Sequence, residues 1–193
     1  MKVAIVGKGH AGRALGAGLE KVGHDVKYGH RDPNEPVDKA AEWGDIIIMA
    51  VPYSQLENAA NEVGERADGK TVIDVTNPLG PNWELAVACK TSAAEELQQM
   101  LPDAKVVKAF NTVFAKNQSR GKIGDEPLAA FIAGDDDEAK RTVMDIAAEM
   151  GYEPIDCGSL KCSRELESMG KQIISLGLER GMGTDIGYRL VKG

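Results

Sequence analysis

An α/β fold, with a doubly wound parallel sheet buried between helices, is what this sequence predicts. Three observations carry the prediction. Short runs rich in β-branched apolar residues recur along the chain, as in KVAIV, IIIMAV and TVIDV. Between them stand stretches with apolar residues at helical spacing, and Gly, Pro, Asn and Asp mark the junctions. Continuous apolar strands alternating with helices indicate strands covered on both faces. The 193 residues, 42% hydrophobic and 27% charged, suffice for a single domain over 1–193 that buries a core without staples.

The elements follow in order. Lys2 to Val6 reads as a strand, and Gly7 to Gly12 as a glycine-rich turn. Ala14 to Val22 is a helix with Leu15, Leu19 and Val22 on one face, stopped by Gly23. Asp25 to Gly29 is the second strand, and His30 to Pro36 a polar loop. Val37 to Trp43 gives at most two helical turns, Ile46 to Val51 a strand ended by Pro52, and Tyr53 to Val63 a helix. Thr71 to Val75 is the fourth strand, and NPLGPNW a long loop. Ser92 to Leu101 is helical, and Lys105 to Ala109 is the fifth strand. Phe110 to Pro127 reads as a loop, Leu128 to Ala133 as a strand, Glu138 to Met150 as a helix and Glu153 to Asp156 as a short strand. Ser159 to Arg180 is expected as one helix interrupted at Gly170 and Gly177, followed by a glycine-rich tail, Gly181 to Gly193.

Charge and composition exclude several functions. The net charge is −7, with no basic block, which argues against a nucleic-acid or anionic-membrane surface. The longest apolar run is too short to span a bilayer, and the N-terminus lacks signal-peptide anatomy, so a cytoplasmic protein is expected. Three cysteines, Cys89, Cys157 and Cys162, are read as inert thiols, and none of His10, His24 and His30 is spaced to complete a zinc site. No metal is expected. The acids Asp135, Asp136 and Asp137 are read as a helix start.

The residues that carry chemistry begin at Gly7-Lys8-Gly9-His10-Ala11-Gly12, a G-x-G-x-x-G that follows the first strand and opens the first helix. In that position the pattern is the pyrophosphate-binding turn of a Rossmann-type dinucleotide site. Gly7 makes the turn, Gly9 lets the backbone approach a phosphate, and Gly12 lets helix and strand pack closely. The acid that NAD proteins place after the second strand is replaced by Gly29, His30 and Arg31. Arg31, with Lys8, suits a 2′-phosphate, so NADP(H) is expected, while Asp32 keeps NAD open. The nicotinamide is expected over the strand ends at Ala50, Val51, Pro52 and Tyr53, at Asn77 and Pro78 beside Thr76, and at Asn111 and Thr112. Each of these also suits a turn. Lys108 is the best-placed proton donor, although a structural lysine reads as well. Tyr188 and Lys192 form Y-x-x-x-K, but at the chain end with no later strand to hold them, so they are set aside.

Together these motifs are similar to those of the NADPH-dependent coenzyme F420 reductases. The resemblance covers almost the whole chain: MKVAIVGKGHAG, GHRD, AVPY, DVTNPLG, VVKAFNT, AGDDDEAK, DCGSL and GMGTDIG. VVKAFNT and DVTNPL also resemble the reductase domains of membrane metalloreductases, which pass hydride from NADPH to a flavin. What the resemblance implies is direct hydride transfer between NADP(H) and a flavin or deazaflavin (coenzyme F420) stacked on the nicotinamide, with no catalytic side chain. It implies 2′-phosphate binding at Lys8 and His30-Arg31, and acceptor binding at Asn111 and at Gly181-Met182-Gly183. Residues 159–193 then form a C-terminal helix and a ligand-covering tail. The glycine turn departs from archaeal members in being one residue shorter, with Lys8 in the place of a threonine. A non-catalytic NADP-binding sensor or subunit, and an imine or ketone reductase, remain the alternatives. Surplus apolar residues at Leu166, Met169, Ile173, Ile174, Leu176 and Leu178 lead us to expect a homodimer or larger homo-oligomer.

Overall fold

A computed structural model describes residues 1–87, 90–191 and 193. Cys89 and Lys192 lie outside the described residues, and with them the Tyr188–Lys192 pair. The strands are β1 (Lys2–Val6), β2 (Asp25–Gly29), β3 (Ile46–Met49), β4 (Thr71–Asp74), β5 (Lys105–Lys108), β6 (Lys122–Ile123), β7 (Glu126–Pro127), β8 (Ala129–Gly134) and β9 (Glu153–Asp156). The helices are α1 (His10–Lys21), α2 (Val37–Trp43), α3 (Leu56–Val63), α4 (Ala93–Met100), α5 (Ala115–Gln118), α6 (Asp137–Glu149) and α7 (Ser163–Ile174).

A seven-stranded sheet runs in the order β2-β1-β3-β4-β5-β8-β9. Alternation along β1 shows why it is buried on both sides. Val3 and Ile5 enter one core with Leu15 and Leu19 of α1 and Val143 of α6. Ala4 and Val6 enter the other, with Val37, Leu56 and Leu97 of α2, α3 and α4. Each of these Val, Leu and Ile side chains, fully withdrawn from water, contributes roughly 1.5–3 kcal/mol.

The sheet is not parallel throughout. β8 pairs antiparallel with β5 (Lys108 opposite Ala133), and β9 runs parallel to β8. The cause lies in the Phe110–Pro127 stretch expected as a loop. It holds the short helix α5 and the β6–β7 hairpin, and it turns the chain back without a crossover helix. The expected single helix from Ser159 to Arg180 is also three pieces. Leu160–Cys162 is a 3₁₀ turn, Ser163–Ile174 is α-helical, and Ser175–Glu179 widens to a π turn closed by Arg180 N–H donating to the Ser175 carbonyl at 2.9 Å. The widening lies at Gly177, which presses on Phe114, leaving a side chain only 2.6 Å from the ring.

Candidate functional site

Two recesses open beside the carboxyl ends of β1 to β5. The larger, about 460 Å³, is lined by the glycine turn, the ends of β2 and β3, and Gln55, Asn58, Ala59 and Glu62 on the segment leading through α3. The turn is built as its residues dictate. Gly7 takes φ +105°, and a Cβ there would lie 2.3 Å from the Ala50 carbonyl oxygen. A Cβ on Gly12 would lie 2.2 Å from the Gly7 oxygen. Gly9 differs: its φ is −76°, and a Cβ would meet nothing within 4 Å. The folded chain gives no reason for a glycine there, whereas a ligand seated against the backbone would.

Gly9 is the N-cap of α1, and it supplies no side-chain cap. The first turn carries no acid. By contrast, Ser92 accepts a bond from the Glu95 amide at 3.1 Å, and Asp136 accepts one from Ala139 at 2.8 Å, so α4 and α6 begin on capping side chains. The start of α1 offers its amide groups and positive dipole end to the recess, which suits an anion. The acidic run at Asp135–Asp137 is a helix start as expected, with Asp135 also accepting from the Leu160 amide at 2.9 Å.

Lys8, His30 and Arg31 all line the larger recess, joined by Arg13, whose Nε donates to the Lys8 carbonyl at 2.9 Å. Sequence reasoning missed Arg13, although an arginine one turn into this helix is its natural signal. It also missed Glu35. The loop from His30 to Pro36 folds back, with the His30 amide donating to the Glu35 carbonyl at 2.8 Å. The Glu35 carboxylate then receives Lys8 Nζ at 2.8 and 2.5 Å, and His30 Nε2 as well. Those bonds, Lys8 first, hold the Glu35 carboxyl below the usual carboxylate range. Asp32 is turned into its own loop, bonded to the Asn34 amide at 2.9 Å. Arg31 donates to Gln55 Oε1 at 3.0 Å.

Ala50, Val51 and Pro52 line the same recess, but Tyr53 does not. The Tyr53 hydroxyl donates to Glu96 at 2.6 Å, and its ring packs on the α3–α4 core. His10 and Ala11 open α1, and Ala11 faces the second recess.

That second recess, about 240 Å³, is lined by Val75, Asn77, Trp83, Asn111, Val113, Phe114, Gln118, Ile173, Ile174 and Leu178. Asn77 and Asn111, after β4 and β5, bond each other: Asn77 Nδ2 donates to the Asn111 carbonyl, and Asn111 Nδ2 to Asn77 Oδ1, both at 2.9 Å. Asn111 Nδ2 also reaches the Leu166 carbonyl of α7 at 2.8 Å. Three buried oxygens have no partner among the described residues: Thr76 Oγ1, Asn111 Oδ1 and Gln118 Oε1. They leave hydrogen-bonding capacity at this end unspent. Phe110 and Trp83 both hold φ above +60°, Phe110 in the core and Trp83 half exposed at the rim. Thr112 is buried, and Pro78 lines neither recess, its carbonyl accepting from the Ala86 amide at 2.7 Å. Gly181, Met182 and Gly183 lie outside the lining. The Met182 and Gly183 amides fold back onto the carbonyls of Leu176 and Gly177, and the Met182 side chain is exposed.

Lys108 is closed to any substrate. Its ammonium is fully buried, bonded to Asp74 and Glu167 at 2.8 Å and to the Thr76 carbonyl at 2.5 Å. Burial alone would lower its pKa, but the Asp74 and Glu167 carboxylates outweigh it and hold the lysine charged. Burial pushes the Glu167 carboxyl up, against the pull of Lys108. Glu167 also accepts from the amides of Ala93 and Ala94, and so caps α4 from α7. Among the described residues, no three His, Cys, Asp or Glu side chains gather as a metal site requires, and no helix is long and apolar enough to cross a membrane.

Residues 2–78 match the family model described as NADP oxidoreductase, coenzyme F420-dependent. An F420-dependent NADP reductase of Methanocaldococcus jannaschii is 32% identical over 157 residues, covering 76% of this chain and 69% of that protein. The metalloreductase STEAP3 of Rattus norvegicus is 32% identical over 188 residues, which is 90% of this chain but 37% of that longer protein. A crystal structure from Arthrobacter sp. FB24, described as an F420-dependent NADP reductase, superposes with TM-score 0.91 at 25% identity, covering both chains completely.

Proposed function

Since this chain belongs to the family of coenzyme F420-dependent NADP oxidoreductases, we propose that it transfers a hydride between NADP(H) and a flat flavin or deazaflavin ring. The observation that carries the reading is the empty space over Gly9, bounded by the uncapped start of α1 and by Lys8, His30 and Arg31. The turn Gly7–Gly12 with the α1 amides would hold the pyrophosphate, and Lys8, His30 and Arg31 the 2′-phosphate. Ala50, Val51 and Pro52 would line the path toward the second recess. The bound NADP(H) would supply the hydride at its nicotinamide ring.

The chain's part is positioning. Asn77 and Asn111 hold each other and α7, so their side of the second recess is fixed. Val75, Val113, Phe114, Ile173, Ile174 and Leu178 give the second recess apolar walls, which suit a planar ring and exclude water. The unpartnered oxygens of Asn111 and Gln118, both residues of the second recess, would accept from donors on a ligand. The tail at Gly181-Met182-Gly183 would close over the acceptor from outside. Because Lys108 is sealed in its ion cluster, the reaction relies on holding two rings at reacting distance, without a side-chain acid.

The test is NADPH oxidation against a panel of coenzyme F420, FMN, quinone and carbonyl acceptors, with parallel titrations of NADPH and NADH. We expect turnover with the ring acceptors, and NADPH bound more tightly by about tenfold to a hundredfold, reduced in Arg31→Ala. Turnover confined to carbonyl substrates, or equal affinity for both nucleotides, would overturn the reading.

A further inference from the structure

We propose that Glu35 sets the degree of preference for the 2′-phosphorylated cofactor, by occupying in the free protein the Lys8 ammonium and the His30 ring Nε2 that this phosphate would engage. The inference rests on the reading of the larger recess as the 2′-phosphate end. Both Glu35 oxygens face Lys8 Nζ, at 2.8 and 2.5 Å, and His30 Nε2 bonds to the same carboxylate. His30 and Lys8 line the large recess, whereas Glu35 reaches them from a neighbouring hollow that it shares with Tyr28, Asn34 and Lys39. The carboxylate is therefore a counter-ion placed beside the cation cluster, where it stands in for a ligand oxygen.

The arrangement follows from the loop. Glu35 is the fifth residue after His30, and two backbone bonds bring it home: the Glu35 amide donates to the Asp32 carbonyl at 2.9 Å, and the His30 amide to the Glu35 carbonyl at 2.8 Å. Asp32, the acid nearest the strand end, points away into its own turn. An incoming 2′-phosphate needs the same N–H protons on Lys8 and His30, and it meets a like charge at Glu35. A cofactor with a free 2′-hydroxyl meets neither obstacle. Arg31, bonded to Gln55 instead, and Arg13, bonded to a backbone carbonyl, stay outside this exchange. Removing one carboxylate charge a few ångströms from a phosphate, in a recess open to water, shifts affinity by about tenfold.

The experiment is isothermal titration of the full chain with NADPH and with NADH, at one fixed ionic strength, for wild type, Glu35→Gln, Glu35→Ala and Lys8→Gln/Glu35→Gln. Glu35→Gln should tighten NADPH about tenfold and leave NADH within about twofold. The gain should vanish in the double variant, because Lys8 is the cation set free. Weaker NADPH binding in Glu35→Gln and Glu35→Ala would overturn the proposal and make Glu35 a support that holds Lys8 and His30 in place. Equal shifts for both nucleotides would overturn it too, since the effect would then not concern the 2′-phosphate. Wild type that binds neither nucleotide would instead sink the functional reading beneath it.

Discussion

Gly9→Ser separates the demands of folding from those of a ligand at a single position. Gly9 holds φ −76° and ψ −170°, extended backbone open to any residue, and its Cβ position is clear of all atoms to 4 Å. Serine is also a better N-cap than glycine, by a few tenths of a kcal/mol, and α1 now lacks a side-chain cap. The variant should therefore melt at or slightly above the wild-type temperature. The new Cβ and Oγ project into the space that a pyrophosphate would fill. Forced overlap of this kind costs roughly 1–3 kcal/mol, so NADPH affinity should fall by about 5- to 150-fold. Gly12→Ala is the contrast, because its Cβ would meet the Gly7 carbonyl oxygen at 2.2 Å and Ile5 Cγ2 at 3.3 Å. That variant should lose roughly 1–3 kcal/mol of stability before any ligand is added. Thermal denaturation paired with NADPH titration reads both quantities. Gly9→Ser that binds NADPH like wild type, or that melts several degrees lower, would refute the assignment of Gly9 to a ligand.

Three further outcomes follow from the same geometry. Lys108→Met should cost about 3–5 kcal/mol in chemical denaturation, because it strands the Asp74 and Glu167 carboxylates in the core; full stability with lost turnover would return Lys108 to the list of proton donors. Ile174→Trp should fill the second recess and abolish ring-acceptor reduction while leaving NADPH affinity within about threefold, which separate binding and turnover assays would check. Glu95, held down by Arg164, Asp136, held down by the Ala139 amide, and Asp185, held down by Lys116, all have lowered pKa values in the fold. Their contribution is complete above the ordinary carboxylate range near 4 and is lost as pH falls through their depressed values, so the melting temperature should hold from neutrality to about pH 5 and drop below it. A melting temperature unchanged down to pH 2.5 would contradict this.

The parts of the molecule legible in the sequence are those governed by local rules. Strands β1 to β5 and helix α6 announce themselves by apolar period, and the glycine turn by its position between strand and helix. The boundary of α1 was harder to read. It begins at His10 rather than Ala14, because glycines that disfavour a helix by about 1 kcal/mol each are kept there for close packing. The Phe110–Pro127 stretch hid a helix and a hairpin, since elements of two to four residues are fixed by tertiary contacts and leave no periodic trace. Glu35 escaped notice because a loop's return path is not written in spacing. Lys108 looked like a catalytic candidate because its partners, Asp74 and Glu167, come from 34 and 59 residues away. Of the apolar residues that prompt the expectation of a subunit interface, Leu166 and Ile173 are buried inside the chain, Ile174 lines the second recess, and Leu178 lines it while half exposed.

The bond between Lys108 and Glu167 has a consequence for how the chain comes off the ribosome. Until residue 167 emerges, the ammonium faces Asp74 alone, and the first amides of α4 lack the carboxylate that will accept from them 74 residues later. The sheet from β1 to β5 can form by then, but its last charged partner and the Ile173–Ile174 side of the second recess arrive only with α7. Closing so long a loop is slow, and it waits on the synthesis of α7. A product stalled or clipped before α7 would leave the buried Lys108 and Asp74 with an unsealed flank, and is expected to be an easier target for proteases than the complete fold.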